Sequence, residues 1–136
     1  DNYDLKNSHV LPALLRKFHE AKINGEPTVT VWGTGKPRRE FLHADDLASA
    51  CYFLIENYND PDIINVGVGK DISIGEMALL IKKITGFEGN TVFDTSMPDG
   101  TFQKLLDVSK LNNLGWHAET GFEEGLKKTY EDKFLV

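Results

Sequence analysis

Cysteine occurs once in this chain of 136 residues, so no internal disulfide can staple it. No apolar run approaches the ~18 residues that a membrane-spanning helix needs, and no secretory signal opens the chain. A reducing, cytoplasmic compartment is the expectation. Basic residues are too few for a polymer-binding face: 15 Lys and Arg stand against 21 Asp and Glu, a net charge of −6. That balance argues against general nucleic-acid affinity.

Catalytic signatures are missing as well. Gly33/Gly35 and Gly67/Gly69 have no third glycine at the spacing of a dinucleotide loop, and there is no Walker lysine loop. Four residues after Tyr3, Tyr52, Tyr58 and Tyr130 stand Asn7, Glu56, Asp62 and Phe134, so no Tyr-x-x-x-Lys pair exists. His9, His19, His43 and His117 show no metal spacing with Cys51. The carboxylates form no evident acid/base pair. No complete catalytic machine is legible.

What is present centres on Val29 to Asp46. Thr28 to Trp32 alternates with period two, placing Val29 and Val31 on one face and Thr30 and Trp32 on the other. A tryptophan on the polar face gains most if something covers it. Gly33-Thr34-Gly35 then permits a tight turn, and Lys36, Arg38 and Arg39 follow within four residues around Pro37. An aromatic plane beside guanidinium groups suits phosphate oxygens. A solvated hairpin with an edge tryptophan reads equally well from these residues alone.

Around this stretch the pattern predicts one compact α/β unit over residues 1–136, about four helices with short strands. Asp1 to Ser8 is polar and starts abruptly, as a cut through a larger protein would. The first helix runs from close to His9 to Asn24, with Pro12 in its first turn and an apolar stripe of Val10, Leu14, Phe18 and Ala21. His9, Arg16, Lys17 and Glu20 share the other flank, with the histidine at the positive helix start. Asp45 or Asp46 is expected to cap a second helix whose stripe Leu47, Cys51, Leu54 and Tyr58 makes Cys51 a core thiol. Ile63 to Gly67 reads as a short strand. Ser73-Ile74-Gly75-Glu76 is a capping box opening a helix closed by Gly86. Thr91 to Asp94 is a further strand, Met97 to Thr101 a turn, and Lys104 to Asp107 extended. Ser109 is expected to cap a short helix, and Thr120-Gly121-Phe122-Glu123 is a second capping box before the last one.

An ordered set of segments resembles the GDP-L-fucose synthase family, epimerase/reductases of the extended short-chain dehydrogenase/reductase class. The segments are Asn7-Ser8-His9-Val10-Leu11-Pro12, Val31-Trp32-Gly33-Thr34-Gly35, Arg39-Glu40-Phe41-Leu42-His43-x-Asp45-Asp46, Ile64-Asn65-Val66-Gly67 and Pro98-Asp99-Gly100-Thr101-x-x-Lys104-Leu105-Leu106-Asp107. The resemblance implies a small C-terminal substrate-binding domain whose Rossmann partner, with the glycine-rich loop and Ser/Tyr/Lys group, lies outside this chain. It implies that NADP is bound mainly by that absent domain, that a GDP-sugar is the substrate, and that the full-length protein is a homodimer with no nucleic-acid or membrane partner.

Carried over by residue, His9 corresponds to a histidine that lies against the NADP cofactor and serves, with a cysteine from the missing domain, as an acid/base in the epimerisations. Lys17, Trp32, Arg39 and Asp99 fall on substrate-binding positions, and Lys104 on a further diphosphate contact. Cys51 is not the family's catalytic cysteine. Two other readings compete: another GDP- or UDP-sugar epimerase or dehydratase of the superfamily, or a free-standing nucleotide-sugar-binding module.

Overall fold

The computed structural model describes residues 2–5 and 7–135; Asp1 and Lys6 of the polar opening fall outside them. Helix α1 spans Val10–Asn24 and stops at Gly25, whose φ of 65° is the left-handed cap that glycine adopts without steric cost. Strand β1 (Thr28–Trp32) buries Val29 and Val31 and exposes Thr30 and Trp32, as its alternation requires. It pairs in parallel with β4 (Asn90–Asp94), Val31 facing Phe93. A second sheet is ordered β3-β2-β5: β2 (Arg38–Glu40) lies antiparallel to β3 (Asp71–Ser73) and parallel to β5 (Gln103–Lys104). The remaining helices are α2 (Ala44–Asn57), α3 (Ile74–Thr85), the short α4 (Ser109–Asn113) and α5 (Phe122–Phe134).

Two apolar clusters hold these elements. In the larger, Leu15 and Phe18 of α1, Val31 of β1 and Met77 and Ile81 of α3 are almost completely covered. Each such side chain contributes roughly 1.5–3 kcal/mol relative to exposure. Helix α3 earns its sharp start from the predicted capping box: Ser73 Oγ accepts from Glu76 N while Glu76 Oε2 accepts from Ser73 N, a device worth ~1 kcal/mol. The smaller cluster joins Ala50 of α2 to Leu111 and Trp116, with Phe53 and Ile64 against it. On β2, Arg38 Nε donates to Asp71 at 2.7 Å, and Gln103 donates to the other oxygen, so one carboxylate ties all three strands of the second sheet.

Several expectations are overturned. His43, not Asp45 or Asp46, caps α2, its Nδ1 accepting from Asp45 N at 3.3 Å. Asp46 turns inward to accept from Glu119 and Thr120 N–H, and Asp45 turns out to Lys128. Ser109 lies inside α4, and Asp107 accepts its N–H instead. The second capping box does not form: Gly121 precedes α5 without a side-chain cap, and Glu123 reaches Lys83 instead. Ile63 to Gly67 forms no ladder among the described residues, and Ile63 is 92% exposed. A strand needs a neighbour, and none of the described strands reaches it.

Cys51 is exposed, not core. Helix α2 buries Asp46 and Ala50 and packs Phe53 and Leu54 on the smaller cluster, so of the predicted stripe Leu54 meets the core while Leu47 and Cys51 turn outward. Its outward side carries Leu47, Tyr52 and Ile55, the last 81% exposed. Periodicity places residues on a common face but does not say which of two apolar faces turns inward. A water-soluble thiol reagent is therefore expected to modify Cys51 of the native 136-residue chain as fast as in denaturant. A strong lag in the native state, read by absorbance or mass, contradicts this geometry.

Candidate functional site

The start of α1, the end of β1, the cleft-facing side of β2 and β5, and the start of α5 enclose a cleft of about 810 Å³. His9, Trp32, Arg39, Asp99 and Lys104 all line it. Lys17 stands one step back, its Nζ 4.7 Å from the centre of the Trp32 ring. That distance is a cation–π contact, and it supplies the cover that a half-exposed tryptophan on a polar face requires. Burial pushes the Lys17 ammonium below its usual pKa.

The cleft is part charged and part apolar. Besides its charged residues it is lined by Phe41 and Phe122, whose rings lie tilted at 5.3 Å between centres, and by Val10 and Leu126. No sequence signal marked this apolar lining, because these residues read as ordinary helix and strand positions.

Strand β2 explains the charge. Successive side chains of a strand point to opposite faces, so Arg38 and Arg39 part company. Arg38 goes to Asp71 and, at 3.6 Å, to Glu76. Arg39 faces the cleft, and its register partner on β5 is Lys104. Paired residues on adjacent strands share a face, where like charges repel. Among the described residues neither Arg39 nor Lys104 has a carboxylate partner; Arg39 donates to the Arg38 carbonyl at 2.7 Å. Two unneutralised cations on one wall have chemistry suited to an anion, and the planar fork of arginine suits diphosphate oxygens in particular.

Asp99 is already engaged. Its carboxylate accepts from Thr34 N at 2.6 Å and Thr34 Oγ1 at 2.7 Å. These bonds fasten the Pro-Asp-Gly turn to the Gly33-Thr34-Gly35 turn. Gly33, at φ 81°, leaves no room for a Cβ beside Asp99. The turn reading and the ligand reading of Asp99 therefore coexist, since each carboxylate oxygen retains a lone pair. The sequence offered no sign that Thr34 is the partner. Glu40 was missed too: it accepts backbone N–H groups from Val68, Gly69 and Leu106 at the edge of the cleft.

The class comes from the comparisons. Residues 1–67 match the NAD dependent epimerase/dehydratase family, and the fold is that of the C-terminal portion of an extended short-chain dehydrogenase/reductase. Within that class the chain resembles GDP-L-fucose synthases. It is 53% identical over 131 residues to GDP-L-fucose synthase 1 of Arabidopsis thaliana, covering 96% of this chain and 41% of that protein. The GDP-L-fucose synthase of Escherichia coli is 49% identical over 140 residues, with 96% and 44% covered. The crystal structure of a GDP-L-fucose synthetase from Naegleria fowleri bound to NADP superimposes with a TM-score of 0.90 at 36% identity, covering 96% of this chain and 41% of that one. The chain thus spans about two fifths of the length of the curated relatives it matches.

The Thr34 bonds, backbone first and hydroxyl second, hold the Asp99 carboxyl below the usual carboxylate range. Thr34→Val removes the hydroxyl donor and keeps the backbone one. The Asp99 pKa, followed by carbon-detected NMR titration, is expected to rise part of the way to its ordinary value. An unchanged titration overturns the assignment of Thr34 as its partner.

Proposed function

We propose that this chain is the nucleotide-sugar-binding part of a GDP-L-fucose synthase, an NADP-dependent epimerase/reductase acting on GDP-4-keto-6-deoxy-D-mannose. The observation that carries the reading is the Arg39–Lys104 pair, two cations opposed across a strand pair and left without carboxylates at the mouth of a cleft. In this reading they take the diphosphate by charge-assisted hydrogen bonds, with Lys17 adding charge behind the Trp32 plane. Trp32 packs on a base or sugar face, and the spare lone pairs of Asp99 accept from sugar hydroxyls. Calorimetric titration of the isolated chain with GDP tests this. Binding is expected to be weaker than micromolar, and Arg39→Ala or Lys104→Ala is expected to weaken it about ten- to a hundredfold. Sub-micromolar affinity, or indifference to both substitutions, defeats the reading.

The residues present fit one flank of NADP rather than its whole length. His9 lines the cleft at the start of α1, whereas no three-glycine dinucleotide loop occurs in the sequence. When bound, NADPH, held mainly by the rest of a longer protein, would supply a hydride to the C4 ketone carbon, the C4 oxygen taking its proton from the Ser/Tyr/Lys group of that part. His9, paired with an acid/base cysteine of the absent domain, takes and returns protons at C3 and C5 from opposite faces of the ring; their acidity comes from that same ketone. Arg39, Lys104 and Trp32 fix the donor so that the ring lies beside the imidazole, and the Phe41–Phe122 wall excludes water. Cytoplasmic residence and a homodimeric full-length protein belong to the same proposal.

The relatives are more than twice as long as this chain. The outward face of α2 and the unpaired Ile63–Val66 segment are therefore assigned as the surface covered by the remaining, Rossmann part of the polypeptide. In the longer protein Cys51 is then shielded from the reagent that modifies it here. In that full-length enzyme His9→Ala is expected to cut turnover by about 10²–10⁴-fold while leaving GDP affinity unchanged. Unaltered turnover removes His9 from the chemistry.

A further inference from the structure

Glu40 sits beside the proposed anion site without being an obvious part of it. Its Oε1 accepts from Val68 N at 2.5 Å and Gly69 N at 2.7 Å, and its Oε2 accepts from Leu106 N at 2.8 Å. The packing around the carboxylate is close: a Cβ on Gly67 would collide with Oε1, and Gly69 adopts a φ of 72°. Glu40 lines both the main cleft and a smaller adjoining hollow formed with Leu42, Val66, Lys104, Leu105 and Leu106.

The segment that Glu40 holds has three other ties: Gln103 donates to Asp71, Arg38 N donates to Phe102 O at 2.7 Å, and Asn65 Nδ2 donates to Asp107 O at 3.0 Å. Strand β5 is two residues long, and everything from Thr101 to Asp107 is exposed. Its ladder to β2 consists of Arg38 with Gln103 and Arg39 with Lys104. A ladder this short gains little against the entropy of ordering an exposed strand. The charges make it worse, because Arg39 and Lys104 share a face. Before Lys104 the Gln103–Asp71 and Arg38–Phe102 bonds resist that repulsion; after it, the Leu106 amide on Glu40 and the Asp107 carbonyl on Asn65 do so.

We propose that Glu40 is a positioning residue for the anion site: by accepting the Leu106 amide it keeps β5 in register, so that Lys104 and Arg39 meet the ligand together. Val68 and Gly69 hold the carboxylate from the other side and fix its direction. Hydrogen bonds from backbone N–H to a carboxylate are charge-assisted, and one carboxylate carrying three of them is a rigid bracket. Glu40 thereby acts on the ligand through Lys104 and touches none of its atoms.

The inference rests on the anion-site reading above, so the test uses the full-length enzyme and separates the two. Glu40→Gln keeps the side chain's length and one acceptor oxygen but sets an NH₂ group against a backbone donor. GDP affinity is expected to fall about tenfold with little change in kcat. Lys104→Ala is expected to give a similar loss, and the double variant no more than either alone, because both remove one effect. Hydrogen exchange at the Val68, Gly69 and Leu106 amides should accelerate in Glu40→Gln while the amides of α1 and α3 keep their protection. Leu106→Pro deletes the amide that Oε2 accepts and leaves Glu40 intact; it is expected to reproduce the affinity loss, and it serves where Glu40→Gln does not fold. Multiplicative losses in the double variant, or unaltered exchange at Leu106, overturn the role of Glu40. Full GDP affinity in both Arg39→Ala and Lys104→Ala defeats the anion site itself, whatever the exchange data show.

Discussion

Two positive charges held side by side on neighbouring strands are the constraint from which the rest of this structure takes its meaning. Arg39 and Lys104 are register partners, and a folded chain gains nothing from that pairing on its own. The neighbouring residue shows the alternative was available. Arg38, one position away and on the other face of β2, is neutralised by Asp71 and Glu76. The same strand therefore builds one satisfied cation into the scaffold and leaves one unsatisfied at the cleft. In a chain with a net charge of −6, that local reversal of sign is produced by the geometry of β2, not by composition.

Much of the frame was legible beforehand because its causes are local. The alternation of β1, the glycine stop at Gly86 and the Ser73–Glu76 capping box all appear where the sequence placed them. Each depends on residues a few positions apart. The failures share the opposite property. Asp45 and Asp46 are good caps in isolation, but Lys128 and the Glu119–Thr120 amides, far along the chain, claim them first. The second capping box fails because α5 begins behind Gly121, one residue late, and the Thr120 amide that Glu123 would have accepted donates to Asp46 instead. The face of α2 that carries Cys51 is apolar, yet the core lies on the other side.

The site divides along the same line. The expectation of an anion-suited surface came from Trp32, Gly33, Gly35 and Arg39, which sit within a few residues of each other. The cleft gathers His9, Trp32, Arg39, Asp99 and Lys104, a set drawn from separate elements of the fold. What assembles the set is long-range: the parallel pairing of β2 with β5, the Thr34–Asp99 clasp, and the reach of Glu40 across to Leu106. None of these has a spacing that a sequence reader could recognise. Lys17 is intermediate. Its place on the helix flank was foreseen, but its position over Trp32 follows from how α1 packs against β1.

The carboxylates near the cleft complete the logic. Asp99 and Glu40 would each be able to neutralise a cation, and either ion pair would close the anion site. Both are committed instead to donors that carry no net charge: Asp99 to the amide and hydroxyl of Thr34, Glu40 to three backbone amides. Their negative charge is spent on fixing turns rather than on pairing with Arg39 or Lys104. The backbone thus competes with the cations for the available anions and wins locally, because preorganised N–H groups lose less entropy than a flexible lysine would in reaching the same oxygens. Arg39 and Lys104 are thereby left without a carboxylate partner among the described residues, and the turns and strand beside them are held by carboxylates that could have neutralised them.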